Sequence, residues 1–91
     1  MTVRRYRRHD RPGVKYVAHQ VGGMLDPLPH WFQELVAKGV AKDGEDCPSV
    51  KTITGDWRRV SQGGWIVYQQ NGWLWELADA DFNNLFYEVA Q

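Results

Sequence analysis

The chain has 91 residues, 43% hydrophobic and 24% charged, with a formal net charge of zero. That length makes one domain, residues 1–91, and the composition is that of a globular rather than a disordered chain. No apolar run approaches ~18 residues, so no membrane-spanning helix is expected, and a single cysteine, Cys47, excludes an intramolecular disulfide and a cysteine-based zinc site.

Residues 1–13 read as a basic lead-in, in which Arg4, Arg5, Arg7, Arg8 and Arg11 stand against Asp10 alone. No apolar stretch follows these arginines, so they are not read as a secretory signal. Pro12-Gly13 is expected to break regular structure. From Val14 to Gln20 the chain alternates, with Val14, Tyr16 and Ala18 on one side, and this predicts a first strand. Gly22-Gly23 ends it, and Asp26 to Pro29 is a stiff connector whose Pro29 suits a first helical turn. Trp31, Phe32, Leu35 and Val36 form one apolar helical stripe, closed by Lys38-Gly39. Residues 40–48 read as an acidic loop. Residues 50–77 then read as a three-stranded antiparallel meander holding Trp57, Trp65, Trp73 and Trp75. Its turns are expected at Gly55-Asp56, Gln62-Gly63-Gly64 and Asn71-Gly72, the last a strong two-residue hairpin signal. Asp79 is the expected N-cap of a short helix with Phe82, Leu85 and Phe86 on its apolar face, and the residues from Tyr87 supply a last edge strand. Short strands with one or two small helices make an α+β domain, a small antiparallel sheet expected to curl into an SH3-like half-open barrel. The acidic end, with Glu76, Asp79, Asp81 and Glu88 and no Lys or Arg after them, mirrors the basic opening. Such asymmetry suits pairing between the ends, within one chain or between copies, or a basic end left for a phosphate-bearing partner.

Lys51-Thr-Ile-Thr-Gly-Asp, Gly63-Gly-Trp-Ile-Val, Asn71-Gly72 with Trp75, and Phe82 with Phe86 together resemble a family of short bacteriophage and prophage proteins. The segment from Pro29 through Trp31-Phe32, the strand from Lys15 and the basic opening with Tyr6 extend the likeness over nearly the whole chain. The resemblance implies a phage context, hence a host bacterial cytoplasm, and a small β-rich fold. It implies no catalytic residues. The chain departs from the family pattern at Gly63-Gly64, where Gly-Asp is usual, at Tyr68, where Arg is usual, and at Trp73, where an acidic residue is usual. Each change makes the sheet more aromatic and less charged.

The chemistry of the side chains points to binding rather than turnover. His9, His19 and His30 have no metal-ligand spacing, Cys47 lacks a nucleophile's surroundings, and no phosphate-cradling glycine loop is present. No catalytic residue, metal ligand or cofactor is assigned. A folded pairing such as Asp56 with His19 is what an enzyme here would need. The binding set is Trp57, Arg58, Arg59 and Trp75, with Tyr68 beside them. An indole offers a stacking face and a guanidinium a planar fork for phosphate oxygens. The expected partner is a small phosphate-bearing signalling molecule, a cyclic nucleotide or an ADP-ribose derivative, sequestered without turnover to counteract host defence. The aromatic surplus also calls for a homo-oligomer. The alternative is a phage interaction or structural module that binds a host or virion protein. Nucleic acid is not expected as the main partner, because the domain as a whole is not basic.

Overall fold

Period-two alternation in one strand divides the molecule. In a strand, successive side chains point to opposite faces of the sheet, so Trp65 and Val67 face one way and Ile66 and Tyr68 the other. Both sides are filled: Trp65, Val67 and Ile66 are all buried. The computed structural model of the protein describes residues 5–22, 28–44, 47–52, 54–69 and 73–89. Its elements are β1 (Arg5–Arg8), β2 (Arg11–Gln20), α1 (His30–Ala37), β3 (Ala41–Lys42), β4 (Ser49–Lys51), β5 (Trp57–Arg59), β6 (Trp65–Gln69), β7 (Trp73–Leu77), α2 (Asp79–Leu85) and β8 (Phe86–Glu88). The strands form a five-stranded sheet of order β7-β6-β2-β1-β8 and a three-stranded sheet of order β3-β4-β5, with every pairing antiparallel. This is the small α+β domain that the sequence predicts. The sheets are not closed into a barrel.

One face of the large sheet is aromatic. Tyr6, Tyr16, Ala18, Trp65, Val67, Phe82 and Phe86 form its core. Phe82, brought down from α2, stacks on Trp65 at a centroid distance of 3.8 Å and on Phe86 at 5.0 Å, and Tyr6 meets both Trp65 and Phe82 edge-on. Asp79 is not the N-cap of α2. That position is Ala78, and no side chain caps the helix. The Asp79 carboxylate instead accepts hydrogen bonds from the Trp65 indole N–H at 2.9 Å, from Gln20 at 3.2 Å and from Asn83 at 3.1 Å. A half-buried indole N–H requires an acceptor, and that need outweighs the weaker gain from capping.

The other face is mainly aliphatic. Val21, Phe32, Leu35, Ala41, Val50, Val60, Ile66 and Leu74 pack there beneath α1 and the small sheet. The stripe on α1 forms as its spacing predicts: Phe32 and Leu35 are buried, and Trp31 and Val36 are partly so. Lys38 is the C-cap, followed by Gly39 at φ 81°. The Gly39 N–H donates to the Val36 carbonyl and the Val40 N–H to that of Leu35. These two bonds make a Schellman ending, in which a left-handed glycine satisfies the last carbonyls. The chain then enters β3, where the sequence predicts a loop. Ala41 is buried and pairs with Val50, which gives the segment its strand.

Residues 50–77 are not a meander. β4 and β5 make a hairpin in the small sheet, and β6 and β7 make one in the large sheet. The division falls at residues 60–64. Val60 is buried and its N–H donates to the Pro48 carbonyl, holding it to the small sheet. Gly63 then turns the chain at φ 90°. Its N–H donates to the Val21 carbonyl at 2.7 Å, and the Val21 N–H donates back to Gly64 at 2.9 Å. That exchange extends the β2–β6 ladder, so β6 pairs with β2 rather than with β5. The expected turn at Gly55-Asp56 does form, with the Thr52 N–H donating to the Asp56 carbonyl and the Gly55 N–H to that of Thr52. Asn71-Gly72 lies outside the described residues, as do parts of the 22–29 connector and of the acidic loop.

The basic lead-in is also a strand. β1 buries Tyr6 against Tyr16 across the β1–β2 pair, and β8 closes the sheet on its far side. Pro12-Gly13 does not end the strand. It falls in β2 where the β1–β2 register shifts. A shifted register is where a strand tolerates a residue that cannot donate to the ladder.

Candidate functional site

β2 is longer than its partner β6. The β2–β6 register begins at Tyr16 opposite Gln69, so the Arg11 end of β2 runs past the end of that ladder together with β1. A cavity of about 310 Å³ lies at this end, lined by Arg8, Arg11, Tyr16, Thr52, Gln69, Leu74 and Trp75. Alternation explains much of the lining. Arg8 follows Tyr6 by two positions, Gln69 follows Val67 by two, and Trp75 pairs with Val67, so these side chains share the aromatic face with Tyr16. Leu74 and Thr52 reach the cavity at the β7 edge from the side of the small sheet.

The polar part of the cavity follows from the β1–β2 turn. Arg8 and Arg11 are register partners on either side of His9-Asp10. Like charges directly opposite on antiparallel strands repel. Asp10 offsets part of this, its carboxylate 2.8 Å from Arg8 Nε. The aromatic part is Trp75, which meets buried Tyr16 edge-on at 5.9 Å; Tyr16 in turn meets Phe86 at 5.1 Å. Trp75 is thus braced by the aromatic core. Gln69 and Thr52 add groups that both donate and accept. Two guanidinium side chains, an indole and neutral hydrogen-bonding groups can together hold an anion that carries a flat ring.

Of the residues singled out from sequence, Trp75 alone lines this cavity. Tyr68 points to the opposite face, where it stacks on Trp31 at 6.0 Å with 12° between the rings. Its Leu74 partner is buried in the aliphatic core. Trp57, Arg58 and Arg59 stand together on β5, all exposed, at the outer edge of the small sheet. Lys42 Nζ lies 4.2 Å from the Trp57 ring centre, and Arg59 Nε donates to Cys47 Sγ at 3.0 Å. Trp57 and Arg59 therefore have neighbours within the small sheet, and neither lines the cavity that Trp75 lines.

Arg8 and Arg11 are absent from the binding set that sequence reasoning selects, although the basic opening reads there as a possible phosphate contact. The signal that sequence lacks is the pairing of residues 5–8 with β2, which places two arginines opposite each other. Asp56 sits in the turn of the small sheet, accepting from Thr54, while His19 lies in β2 opposite Ile66. Among the described residues, no three His, Cys, Asp or Glu side chains gather into a group that would hold a metal ion, and no helix is long and apolar enough to cross a membrane. Compared with protein-family models, with curated proteins and with solved structures, the chain matches none.

Proposed function

We propose that the protein binds and holds a small phosphate-bearing nucleotide, without turnover, in the cavity lined by Arg8, Arg11 and Trp75. One observation carries this reading: two register-paired guanidinium side chains share a cavity of about 310 Å³ with a tryptophan. Guanidinium forks suit phosphate oxygens, and the indole offers a base its stacking partner. In the bacteriophage setting that the sequence resemblance implies, the ligand is a host immune signalling nucleotide, kept from its effector in the host cytoplasm. The reading includes a homo-oligomer, for which the exposed rings of Trp57 and Tyr87 would supply apolar surface. Light scattering that reports 10.6 kDa at every concentration would remove the oligomer from it.

A second reading follows from the other Trp/Arg set. Trp57 is 40% exposed beside Arg58 and Arg59 on a sheet edge, and such an edge suits an acidic segment of a host or virion protein. It would make the protein an adaptor, in the manner of an SH3-like module. One experiment separates the readings. The purified protein is incubated with a panel of nucleotide signals, stripped of free ligand, denatured by heat, and the released material analysed. Intact recovery supports sequestration. Altered recovery makes the protein an enzyme, and no capture leaves the interaction module.

A further inference from the structure

We infer that the Arg8–Arg11–Trp75 cavity takes one nucleotide unit with a single phosphodiester charge, a cyclic mononucleotide, and discriminates against ligands bearing a diphosphate or triphosphate. This rests on the reading that the cavity holds a nucleotide at all. Size is the first argument. Small-molecule sites span roughly 300–1,000 Å³, and a cavity of about 310 Å³ is at the bottom of that range. A volume at the bottom of that range matches one base, one ribose and one phosphate held inside the cavity.

Charge is the second argument. Among the described residues, the charged side chains lining the cavity are Arg8 and Arg11. Asp10 is ion-paired with Arg8 at 2.8 Å. Arg8 and Arg11 against Asp10 leave a net charge of one positive unit. A phosphodiester matches that with its single negative charge. Among the described residues no other lining side chain neutralises the negative charge that each further phosphate adds, and that charge comes toward the Asp10 carboxylate, where like charges repel. A desolvated charge without a partner is costly, so the excess phosphate counts against binding. The neutral partners, Gln69 and Thr52, suit ribose hydroxyls and a base edge rather than more phosphate.

Isothermal titration of the full chain with 3′,5′-cyclic AMP, ADP-ribose and ATP tests this directly. Cyclic AMP is expected to bind at least tenfold more tightly than either of the others. Asp10 is exposed in the β1–β2 turn, so Asp10→Asn should leave the melting temperature near wild type. That variant is expected to improve ATP binding relative to cyclic AMP by about tenfold, because it returns a full positive charge to the site. ADP-ribose or ATP binding as tightly as cyclic AMP to the wild type overturns the inference and leaves the phosphate-binding reading intact. An unchanged ATP-to-cyclic-AMP ratio in a folded Asp10→Asn shows that charge is not the filter and overturns it as well. Failure of all three probes to bind overturns both.

Discussion

The protein carries two sets of tryptophan and arginine, and they differ in how they were brought together. On β5, Trp57, Arg58 and Arg59 are consecutive, and all three are exposed on an edge strand. At the cavity, Arg8 and Arg11 meet Trp75 across most of the chain length, around buried Tyr16. Neighbours in sequence alternate faces along a strand, so Arg58 faces away from Trp57 and Arg59 and the three do not act as one set. Residues from different strands that share one face can. The β5 set is also what a protected edge looks like, since charged side chains on an edge discourage pairing with another chain. The cavity set is no edge: Arg8 and Arg11 stand opposite each other, where like charges repel, and the proposed phosphate would relieve that repulsion.

Five variants sharpen or break this comparison. The largest effect is expected from Phe82→Ala. Phe82 is 2% exposed and stacks on both Trp65 and Phe86, so its loss should cost ~3–5 kcal/mol of stability in urea unfolding. A cost below ~1 kcal/mol would mean that the aromatic core does not support the cavity end of the large sheet. Next is Arg11→Ala. Loss of one charge-assisted phosphate contact should weaken nucleotide capture by ~1.5–3 kcal/mol, about ten- to a hundredfold. The double variant Arg58→Ala, Arg59→Ala should leave capture unchanged. The opposite pattern would move the site to β5.

Smaller effects come from the junction and from the edge. Gly63 stands at φ 90° where the chain leaves the small sheet for the large one, and Gly63→Ala should cost ~1–2 kcal/mol by thermal melting, because a Cβ strains that left-handed backbone. An unchanged melting temperature would show that the junction relaxes without loss. Trp57→Ala should be the mildest. An exposed cation–π contact such as the one with Lys42 is worth ~0.5–1 kcal/mol, so a larger loss of stability would mean that the β5 edge is covered, by another copy or a partner.

Elements whose information is local are legible in the amino-acid sequence. The α1 stripe of Trp31, Phe32, Leu35 and Val36 forms where its spacing places it, and Gly39 ends the helix as a left-handed glycine should. The turns at residues 52–56 and 61–64 sit where their glycines predict, and the last strand is an edge strand as expected. The two strands that the sequence does not announce, β1 and β3, carry weak local signals. Arg5 to Arg8 holds a single apolar residue, Tyr6, and Ala41-Lys42 is too short to alternate. Each is a strand because a neighbour pairs with it.

By itself, then, the sequence determined the kind of domain, the turns at Gly55-Asp56 and Gln62-Gly63-Gly64, and which side chains share a face within each strand. Those properties follow from backbone dihedrals and side-chain periods that act over a few residues. Tertiary structure decided the rest. It put β6 beside β2 rather than β5, it tied Asp79 to the Trp65 indole instead of to a helix end, and it set Arg8 and Arg11 beside Trp75. A strand's pattern states which face is buried but not which strand lies alongside. That choice is made by the packing of distant side chains into the two cores, and with it the location of the site.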